Sequence, residues 1–469
     1  MNIMTMARLL HILEQLRKHE HWTRAHLDAF QATALRDLRE YTYAHSPFYQ
    51  RFHAGLTDRP LQELPVLTKA TMMEHFDDLV TDPAIHLDLV REHMTRAVAG
   101  NLFLDRYWLN ATSGSSGQPG LFLFNRDEWL TIVASFARAH EWAGARVNLT
   151  HRMKMATVAS VSPWHMSAQV GATVKSWWMP TLRIAASEPL TAIVAKLNDW
   201  QPELLVAYAS MARILADEQL AGRLHIAPQL IFASSEVLTD ETRRRIETAW
   251  GRSPFNEYAA TETGGVAAEC QVGRRLHLFE DLLIVEVVDE TNRPVPPGVY
   301  GDKVLVTTLF SRTQPLIRYE LSDSVKLAEE ECLCGRPFAV LESIQGRAED
   351  TLNFPGITGG TVAVHPSVFH HILDATPVSG WQVVQETDAG VTVLLSGVQE
   401  GLADETIIDR LGHALAGQGA RVPYIQAQRV KAIGKTTAGK ASHIKAQRQL
   451  PGAIQTHHLQ DSCTPGGRG

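Results

Sequence analysis

The chain has 469 residues, of which 45% are hydrophobic and 20% are charged, a composition typical of a soluble globular protein. Its 44 basic and 51 acidic side chains give a net charge of −7, which argues against a nucleic-acid-binding protein that relies on phosphate attraction. The four cysteines exclude a disulfide scaffold, and no window approaches the roughly 18 consecutive apolar residues of a membrane span. We therefore expect a cytoplasmic protein with one large unit and a smaller one.

The amino-terminal segment, residues 1–16, has apolar residues at helical spacing. His11 and Glu14 interrupt this pattern, so the segment lacks the continuous apolar run of a secretion signal. The sequence gives no indication of targeting outside the cytoplasm.

The most informative stretch is T-S-G-S-S-G-Q-P-G at residues 112–120. Its small and polar residues cannot pack a core, but their backbone and hydroxyl donors can wrap an anion. Strand-like segments flank it, and the G-K-[ST] ending of the kinase-like P-loop is absent. A flexible linker is the alternative interpretation. The residues that we expect to contact phosphate are Thr112, Ser113, Gly114, Ser115, Ser116 and Gly117.

Helices and short apolar strands then alternate, which predicts an α/β architecture. Asn125 and Glu128 have the spacing of a helix-capping box and predict a helix that extends to Trp142. Ser234, Ser235 and Glu236 follow a strand-like segment, at the position where open α/β sheets bind ligands. Further strands are predicted at 153–160, 204–208 and 230–233, and helices at 212–220 and 240–250.

Beyond residue 278 the pattern favours β-structure, with strands at 282–288 and 303–308. A small α+β unit then begins near residue 346, with strands at 381–385, 391–395 and 425–430 and a helix at 404–415. We predict an amino-terminal domain of mixed sheets and helices at 1–345, a mobile carboxyl-terminal domain at 346–455 and a disordered tail at 456–469. The histidine pair at 370–371 is expected on a solvated helix face.

Three further motifs suit a nucleotide. The segment N-E-Y-A-A-T-E at 256–262 offers Tyr258 to stack on a base, Thr261 to bind a phosphate and Glu262 to bind Mg²⁺. Asp323 follows an apolar segment and can accept both hydroxyls of a ribose, and Lys440 lies in a glycine-containing loop. Each motif alone is equally compatible with ordinary surface residues.

In this order, the segments resemble the adenylate-forming superfamily, and the resemblance covers nearly the whole chain. H-S-P-F-Y at 45–49 and L-P-V-L-T-K at 64–69 are most similar to its phenylacetate–CoA ligase and deazaflavin-cofactor adenylating branch. The resemblance implies that Lys440 is the adenylation lysine, that G-R-A-E-D at 346–350, with Arg347 and Glu349, is the hinge, and that Arg347 also binds ATP or AMP. Two positions depart from the family pattern: Gln118 replaces a common lysine, and Glu349 replaces an aspartate.

This resemblance implies an AMP-forming carboxylate ligase. An acid, with an aryl or arylacetic acid favoured by the branch, would attack Mg-ATP and release pyrophosphate, and the acyl group would pass to coenzyme A. Transfer to an amine is the alternative. A P-loop phosphotransferase and a silent nucleotide-binding protein are rival classes. A homodimer is compatible with the sequence.

Cysteine and histidine placement predicts a structural metal site. Cys270, His277, Cys332 and Cys334 supply three thiolates and one imidazole, which would close a tetrahedral Zn²⁺ shell with no open position. The C-x-C pair also occurs in zinc-holding members of the branch, as the resemblance implies. Unconnected reduced thiols are the alternative.

The acid pocket is the least defined part of the predicted site. Trp164 and His165 stand where relatives place pocket residues, and Phe136 follows the phosphate loop on the predicted helix. A structural loop for His165 and core packing for Phe136 are the alternatives.

Overall fold

The computed structural model describes residues 3–96, 98–112, 119–146, 152–173, 179–347, 350–399, 401–434 and 443–446. Residues 3–96 form six α-helices, of which the first five contribute buried side chains to the largest hydrophobic core and the sixth contributes Val90 to a smaller one. The Thr23 hydroxyl caps the second helix by accepting a hydrogen bond from the His26 backbone N–H. The helices are α1 (Ile3–His19), α2 (Arg24–His45), α3 (Pro47–Phe52), α4 (Lys69–Glu74), α5 (Phe76–Leu79) and α6 (Leu87–Arg96), with a 3₁₀ helix at Leu61–Glu63.

An antiparallel hairpin follows, formed by β1 (Trp108–Ala111) and β2 (Leu121–Phe124). Helix α7 (Arg126–Trp142) begins directly after it, with the predicted capping box of Asn125 and Glu128 in place. The predicted strands on either side of residues 112–120 and the capped helix that follows them are confirmed.

The centre of the chain folds into one mixed sheet of nine strands. Four neighbouring strand pairs are parallel and are connected through helices, and the other four are antiparallel. In spatial order the strands are β13 (Asp323–Leu327), β14 (Val340–Arg347), β9 (Leu276–Leu278), β8 (Gly264–Glu269), β7 (Phe255–Ala260), β6 (Leu230–Ser234), β5 (Leu204–Tyr208), β3 (Met155–Ala159) and β4 (Thr181–Ala185). The connecting helices are α8 (Met166–Thr173), α9 (Leu190–Trp200), α10 (Ala209–Leu220) and α11 (Asp240–Trp250).

A three-stranded antiparallel sheet lies between these strands in sequence and joins the main core. Its strands are β10 (Leu283–Val288), β11 (Lys303–Thr308) and β12 (Tyr319–Leu321). Because β13 begins two residues after β12 ends, the chain passes directly from this sheet to the edge of the nine-stranded sheet.

Residues 352–444 contribute a separate hydrophobic core around Trp381. A two-stranded and a four-stranded sheet pack there with two helices, as expected for an α+β unit. The elements are β15 (Leu352–Pro355), β16 (Thr361–Val364), α12 (Pro366–Leu373), β17 (Gly380–Gln385), β18 (Val391–Ser396), α13 (Asp404–Gly417), β19 (Ile425–Val430) and β20 (Ile444–Ala446).

The predicted α/β class is confirmed, and the element limits differ from the predictions by only a few residues. One expectation is wrong: His370 does not lie on a solvated face, because its ring contacts Trp381 and its Nδ1 lies 3.1 Å from Asp374 Oδ2. His371 is exposed, as expected. No helix in the described part of the chain is both long and apolar enough to cross a bilayer. The domain limits at 345/346 and 455/456 stay predictions.

Candidate active site

A crevice of about 1270 Å³ lies beyond the carboxyl ends of β6 and β7 and reaches the carboxyl-terminal α+β unit. Strand ends of this kind are the usual ligand-binding edge of an α/β sheet. The crevice brings together residues from several distant segments of the sequence. Its predicted site residues are Thr112, Ser235, Glu236, Tyr258, Glu262, Asp323 and Arg347.

Tyr258 and Asp323 meet on one wall of this crevice. The Tyr258 hydroxyl donates a hydrogen bond of 2.8 Å to Asp323 Oδ2. Burial, reinforced by the neighbouring Asp323 carboxylate, raises the pKa of Tyr258 well above its usual value, so the phenol stays protonated. The antiparallel register of β13 and β14 pairs Asp323 with Arg347, whose Nε lies 3.8 Å from Asp323 Oδ1. An aromatic ring, a carboxylate and a guanidinium are therefore held side by side.

Glu262 lies in the turn between β7 and β8, and Thr261 precedes it. Burial raises the pKa of the Glu262 carboxyl, while the positive charges of Arg347 and Lys69 act in the opposite direction. A half-buried carboxylate between two cations suits a metal-bound polyphosphate. Thr261 is half-buried and, unlike Glu262, does not line the crevice.

Lys69 is the residue that the sequence analysis missed. The sequence identifies residues 64–69 as a motif of the family that the chain resembles, but it assigns no role to the lysine. In the structure Lys69 begins α4 and lines the crevice. Its side chain lies beside Gly120, at the end of the polar stretch: a Cβ added at Gly120 would be 3.4 Å from Lys69 Cδ. A lysine after a capping threonine, Thr68, is the only local signal.

The two ends of the Gly/Ser loop are joined by paired hydrogen bonds. The Thr112 backbone N–H donates to the Gly120 carbonyl at 3.0 Å, and the Gly120 N–H donates to Thr112 Oγ1 at 2.8 Å. The loop base therefore stands at the crevice wall, where Thr112 is exposed to it. The predicted phosphate contacts of Ser113, Gly114, Ser115, Ser116 and Gly117 fall outside the described residues and stay predictions.

The polar segment after β6 contains local strain and an unsatisfied acceptor. Ser234 is the last residue of the strand, and Ser235 adopts a left-handed backbone conformation with φ of 64°. Glu236 Oε2 accepts a hydrogen bond from the Ser210 N–H at 2.8 Å, but its Oε1 is buried without a hydrogen-bond partner. Strained, unsatisfied groups of this kind concentrate at ligand sites.

Lys440 and Glu349 both fall outside the described residues, so their predicted roles stay predictions. The nearest described neighbours of Lys440 in sequence do line the crevice: residues 431–433 on one side and 443–444 on the other. Asp350, next to Glu349, also lines it.

The predicted acid-pocket residues do not line this crevice. Phe136 is partly buried and packs against the main core. Trp164 packs against a satellite core that includes Phe103, and His165 Nδ1 lies 2.6 Å from Ser160 Oγ. A substrate role for these three residues stays a prediction.

The four predicted metal ligands converge. Their ligand atoms all lie within 4.8 Å of one another, although Cys270 and Cys332 are 62 residues apart in sequence. The Cys270 and Cys332 sulfurs are 3.6 Å apart, and Cys334 Sγ lies 3.3 Å from His277 Nε2. A tetrahedral zinc with Zn–S bonds of about 2.3 Å has sulfur–sulfur edges of about 3.8 Å, so the donor set fits this ion.

Strand order explains this convergence. Cys270 follows β8 and His277 lies on β9, while Cys332 and Cys334 lie in the loop between β13 and β14. Because β14 pairs with β9, the loop and the β8–β9 turn meet at one end of the sheet. Gly273 permits the close approach, since a Cβ there would collide with Cys332 Sγ.

No protein-family model matches the chain. The chain is 27% identical over 431 residues to a phenylacetate–coenzyme A ligase of Thermus thermophilus, a match that covers 85% of this chain and 89% of that protein. A shorter match of 31% identity over 150 residues links it to Protein CapK of Staphylococcus aureus and covers 31% of each chain.

Solved structures share the fold. 2-Hydroxyisobutyryl-CoA ligase in the postadenylation state, in complex with R3-HIB-AMP, has 20% identity and a TM-score of 0.74, with 92% of each chain covered. The same ligase in complex with 2-HIB-AMP and CoA, in the thioesterification state, gives a TM-score of 0.59 at the same identity and coverage. These similarities confirm the predicted fold.

Proposed function

We propose that the chain belongs to the adenylate-forming superfamily and is an AMP-forming acid–coenzyme A ligase. The observation that carries this proposal is the convergence of Tyr258, Asp323, Glu262 and Lys69, from four separate segments, on one crevice. A relative that is a phenylacetate–coenzyme A ligase supports the same class and favours an arylacetic acid as substrate.

In the first half-reaction, a carboxylate oxygen of the acid attacks the α-phosphorus of ATP. The bond between the α-phosphorus and the oxygen that bridges to the β-phosphate breaks, and pyrophosphate leaves with the electron pair of that bond. Tyr258 and Asp323 would hold the nucleoside, and the loop that starts at Thr112 would hold the phosphates. Lys69 and Lys440 would stabilise the negative charge that develops in the transition state.

Glu262 is the residue that we propose for Mg²⁺. Its carboxylate faces the crevice between Arg347 and Lys69, so the residues present fit a metal that arrives with the nucleotide. The ion would neutralise phosphate charge.

In the second half-reaction, the coenzyme A thiol would attack the acyl carbon and release AMP. The carboxyl-terminal unit would rotate about Arg347 and Glu349 between the two steps, which is a gating role for a domain motion. The comparisons favour coenzyme A over an amine as acceptor, since the related proteins are coenzyme A ligases.

Acid-dependent exchange of labelled pyrophosphate into ATP tests the proposal. We expect exchange with at least one member of a panel of aryl, arylacetic, aliphatic and amino acids, with phenylacetate as the first probe. Product analysis with coenzyme A should then give AMP and an acyl thioester. Release of ADP, or failure of every acid to support exchange, would contradict the proposal.

We also propose that Cys270, His277, Cys332 and Cys334 hold a structural zinc ion, which the separations between their ligand atoms support. The ion would supply no chemistry to the reaction, because four protein donors leave no open position. The cytoplasmic location and the homodimer stay predictions.

A further inference from the structure

One buried ion pair joins the two hydrophobic bodies of the chain. Arg213 lies on α10, and its Nη1 donates to Asp374 Oδ1, at the end of α12, over 3.3 Å. Its Nη2 donates to the Val378 carbonyl at 3.1 Å. Arg213 is 5% exposed and Asp374 is 4% exposed, so neither charge is solvated by bulk water. We call this pair the interdomain latch.

Asp374 also forms polar contacts with two side chains of the carboxyl-terminal unit, Trp381 and His370. The Trp381 indole N–H donates to Asp374 Oδ1 at 2.8 Å, and His370 Nδ1 lies 3.1 Å from Oδ2. His443 packs on the Trp381 ring with a centroid separation of 4.3 Å. Contacts within the carboxyl-terminal unit therefore fix the orientation of the Asp374 carboxylate independently of Arg213.

Within the amino-terminal domain, no acidic group among the described residues forms an ion pair with Arg213. Asp217 is the nearest acidic group on α10, but it forms an ion pair of 3.0 Å with Arg245 of α11. Glu241 also interacts with Arg245, at 3.7 Å. Arg213 Nε is buried without a hydrogen-bond partner. The carboxylate that faces the Arg213 guanidinium directly is the one across the domain boundary.

The latch is connected to the segment that carries Lys440. His443 Nδ1 lies 3.2 Å from the Trp381 carbonyl, and the His443 carbonyl accepts a hydrogen bond from the Val383 N–H. Strand β20 begins at the next residue and pairs with β17. His443 and Ile444 line the nucleotide crevice, as do residues 431–433. Through Trp381 and His443, Asp374 therefore helps to hold at the crevice the chain that follows residues 435–442, which include Lys440.

We propose that Arg213 is a positioning residue that keeps the carboxyl-terminal domain in the orientation required for adenylation, and that the latch must open before thioester formation. This inference rests on the proposed function. A rotation large enough to withdraw residues 431–433 and 443–444 from the crevice would separate Arg213 from Asp374 and from the Val378 carbonyl. The pair thus contributes to one orientation only, and it biases the equilibrium between the two.

The test compares the two half-reactions in Arg213→Gln. We expect phenylacetate-dependent ATP–pyrophosphate exchange to fall by about tenfold, in proportion to the fraction of molecules in the competent orientation. Thioester formation from supplied phenylacetyl-adenylate and coenzyme A should be unchanged or faster. Arg213→Lys should restore part of the exchange, because it keeps a cation opposite Asp374.

Arg223→Gln is the matched control, since Arg223 pairs with Glu218 in an exposed ion pair just beyond the same helix. It should leave both half-reactions unchanged. Small-angle X-ray scattering supplies a readout that needs no activity: Arg213→Gln should increase the radius of gyration relative to both the unaltered chain and the control. If Arg213→Gln does not fold, Asp374→Asn removes the same pair from the other side.

An equal loss in both half-reactions, or unchanged exchange with unchanged scattering, would overturn the latch. If the unaltered chain exchanges pyrophosphate with no acid in the panel, the proposed function fails instead. The scattering comparison then still decides whether Arg213 holds the two domains together.

Discussion

The position of Lys69 is set by backbone contacts of its neighbours. The Leu67 N–H donates to the Arg318 carbonyl, and the Glu320 N–H donates to the Leu67 carbonyl, both at 3.0 Å. Arg318 is itself buried, with a left-handed φ of 49°, and forms an ion pair with Glu286. These contacts dock the segment before α4 against β12. Lys69 is thereby aimed at the same space as Glu262.

Replacing Lys69 by methionine should lower kcat/KM for ATP–pyrophosphate exchange by about 100-fold, because a preorganised cation at the phosphates is lost. Lys69→Arg should retain more activity, since it keeps the positive charge. The measurement is the exchange rate over a range of ATP concentrations.

Lys196→Met serves as the control for that variant, because Lys196 on α9 forms an ion pair with Glu188 and neither residue lines the crevice. An exchange rate in Lys69→Met equal to that of Lys196→Met would remove Lys69 from the site.

At the scale of elements, the nine-stranded sheet brings together candidate metal ligands from two connections that are distant in sequence. The pairing of β9 with β14, which contains two register pairs, brings the β8–β9 turn next to the β13–β14 loop. Hydrogen-bond partners also hold the Cys270 sulfur: the Gly273 N–H donates to it at 3.3 Å. Although burial raises the pKa of this thiol, His277 and the backbone N–H groups lower it to about 5, which favours a thiolate ligand.

We expect the purified protein to contain about one zinc per chain, and the Cys332→Ser, Cys334→Ser double variant to contain almost none. Mass spectrometric metal analysis measures this ratio. The double variant should also unfold at a lower temperature, because the two connections are no longer joined through the metal.

Cys463→Ser is the control for general thiol loss, since Cys463 lies in the predicted tail and is not a candidate ligand. A native protein without zinc, or a double variant with the full zinc content, would contradict the assignment.

At the scale of the whole molecule, two hydrophobic bodies share one crevice. The core around Trp381 is separate from the cores of the amino-terminal part, and the chain passes between them near Arg347. Arg347 ends β14, and its side chain is 52% exposed. Backbone that connects two bodies makes few contacts and is a preferred site of proteolysis.

Limited trypsin digestion should therefore cut first after Arg347 and release an amino-terminal fragment that comprises residues 1–347. ATP together with phenylacetate should slow this cut, because Arg347 lines the crevice that we propose for the nucleotide. Intact-mass spectrometry of the fragments identifies the cut.

Arg347→Gln should abolish the first cut while leaving later cuts in place. A first cut elsewhere in the described part of the chain would contradict the predicted domain limit at 345/346.

Local patterns determined much of this protein. The capping box at Asn125, the alternation of strands and helices, and the order of the polar motifs each depend on residues close in sequence, so they predicted the class, the fold and Tyr258, Glu262 and Asp323 as site residues. The four candidate metal ligands could be grouped from the sequence because cysteine and histidine are few enough to be paired by their chemistry alone.

Only the tertiary structure decided the rest. The alignment of Tyr258 with Asp323 depends on how β7 and β13 pack, and Arg347 reaches Asp323 through strand register. Arg213 carried no local signal, and Lys69 had only its place after the capping Thr68, because a lysine or arginine in a helix is ordinarily solvated. The positions of both residues depend on long-range contacts. Arg213 contacts Asp374, 161 residues away, and the segment before Lys69 is held by Arg318, which donates to the Gln62 carbonyl 256 residues away. Short-range spacing cannot encode such pairs, since they form only when separate elements pack.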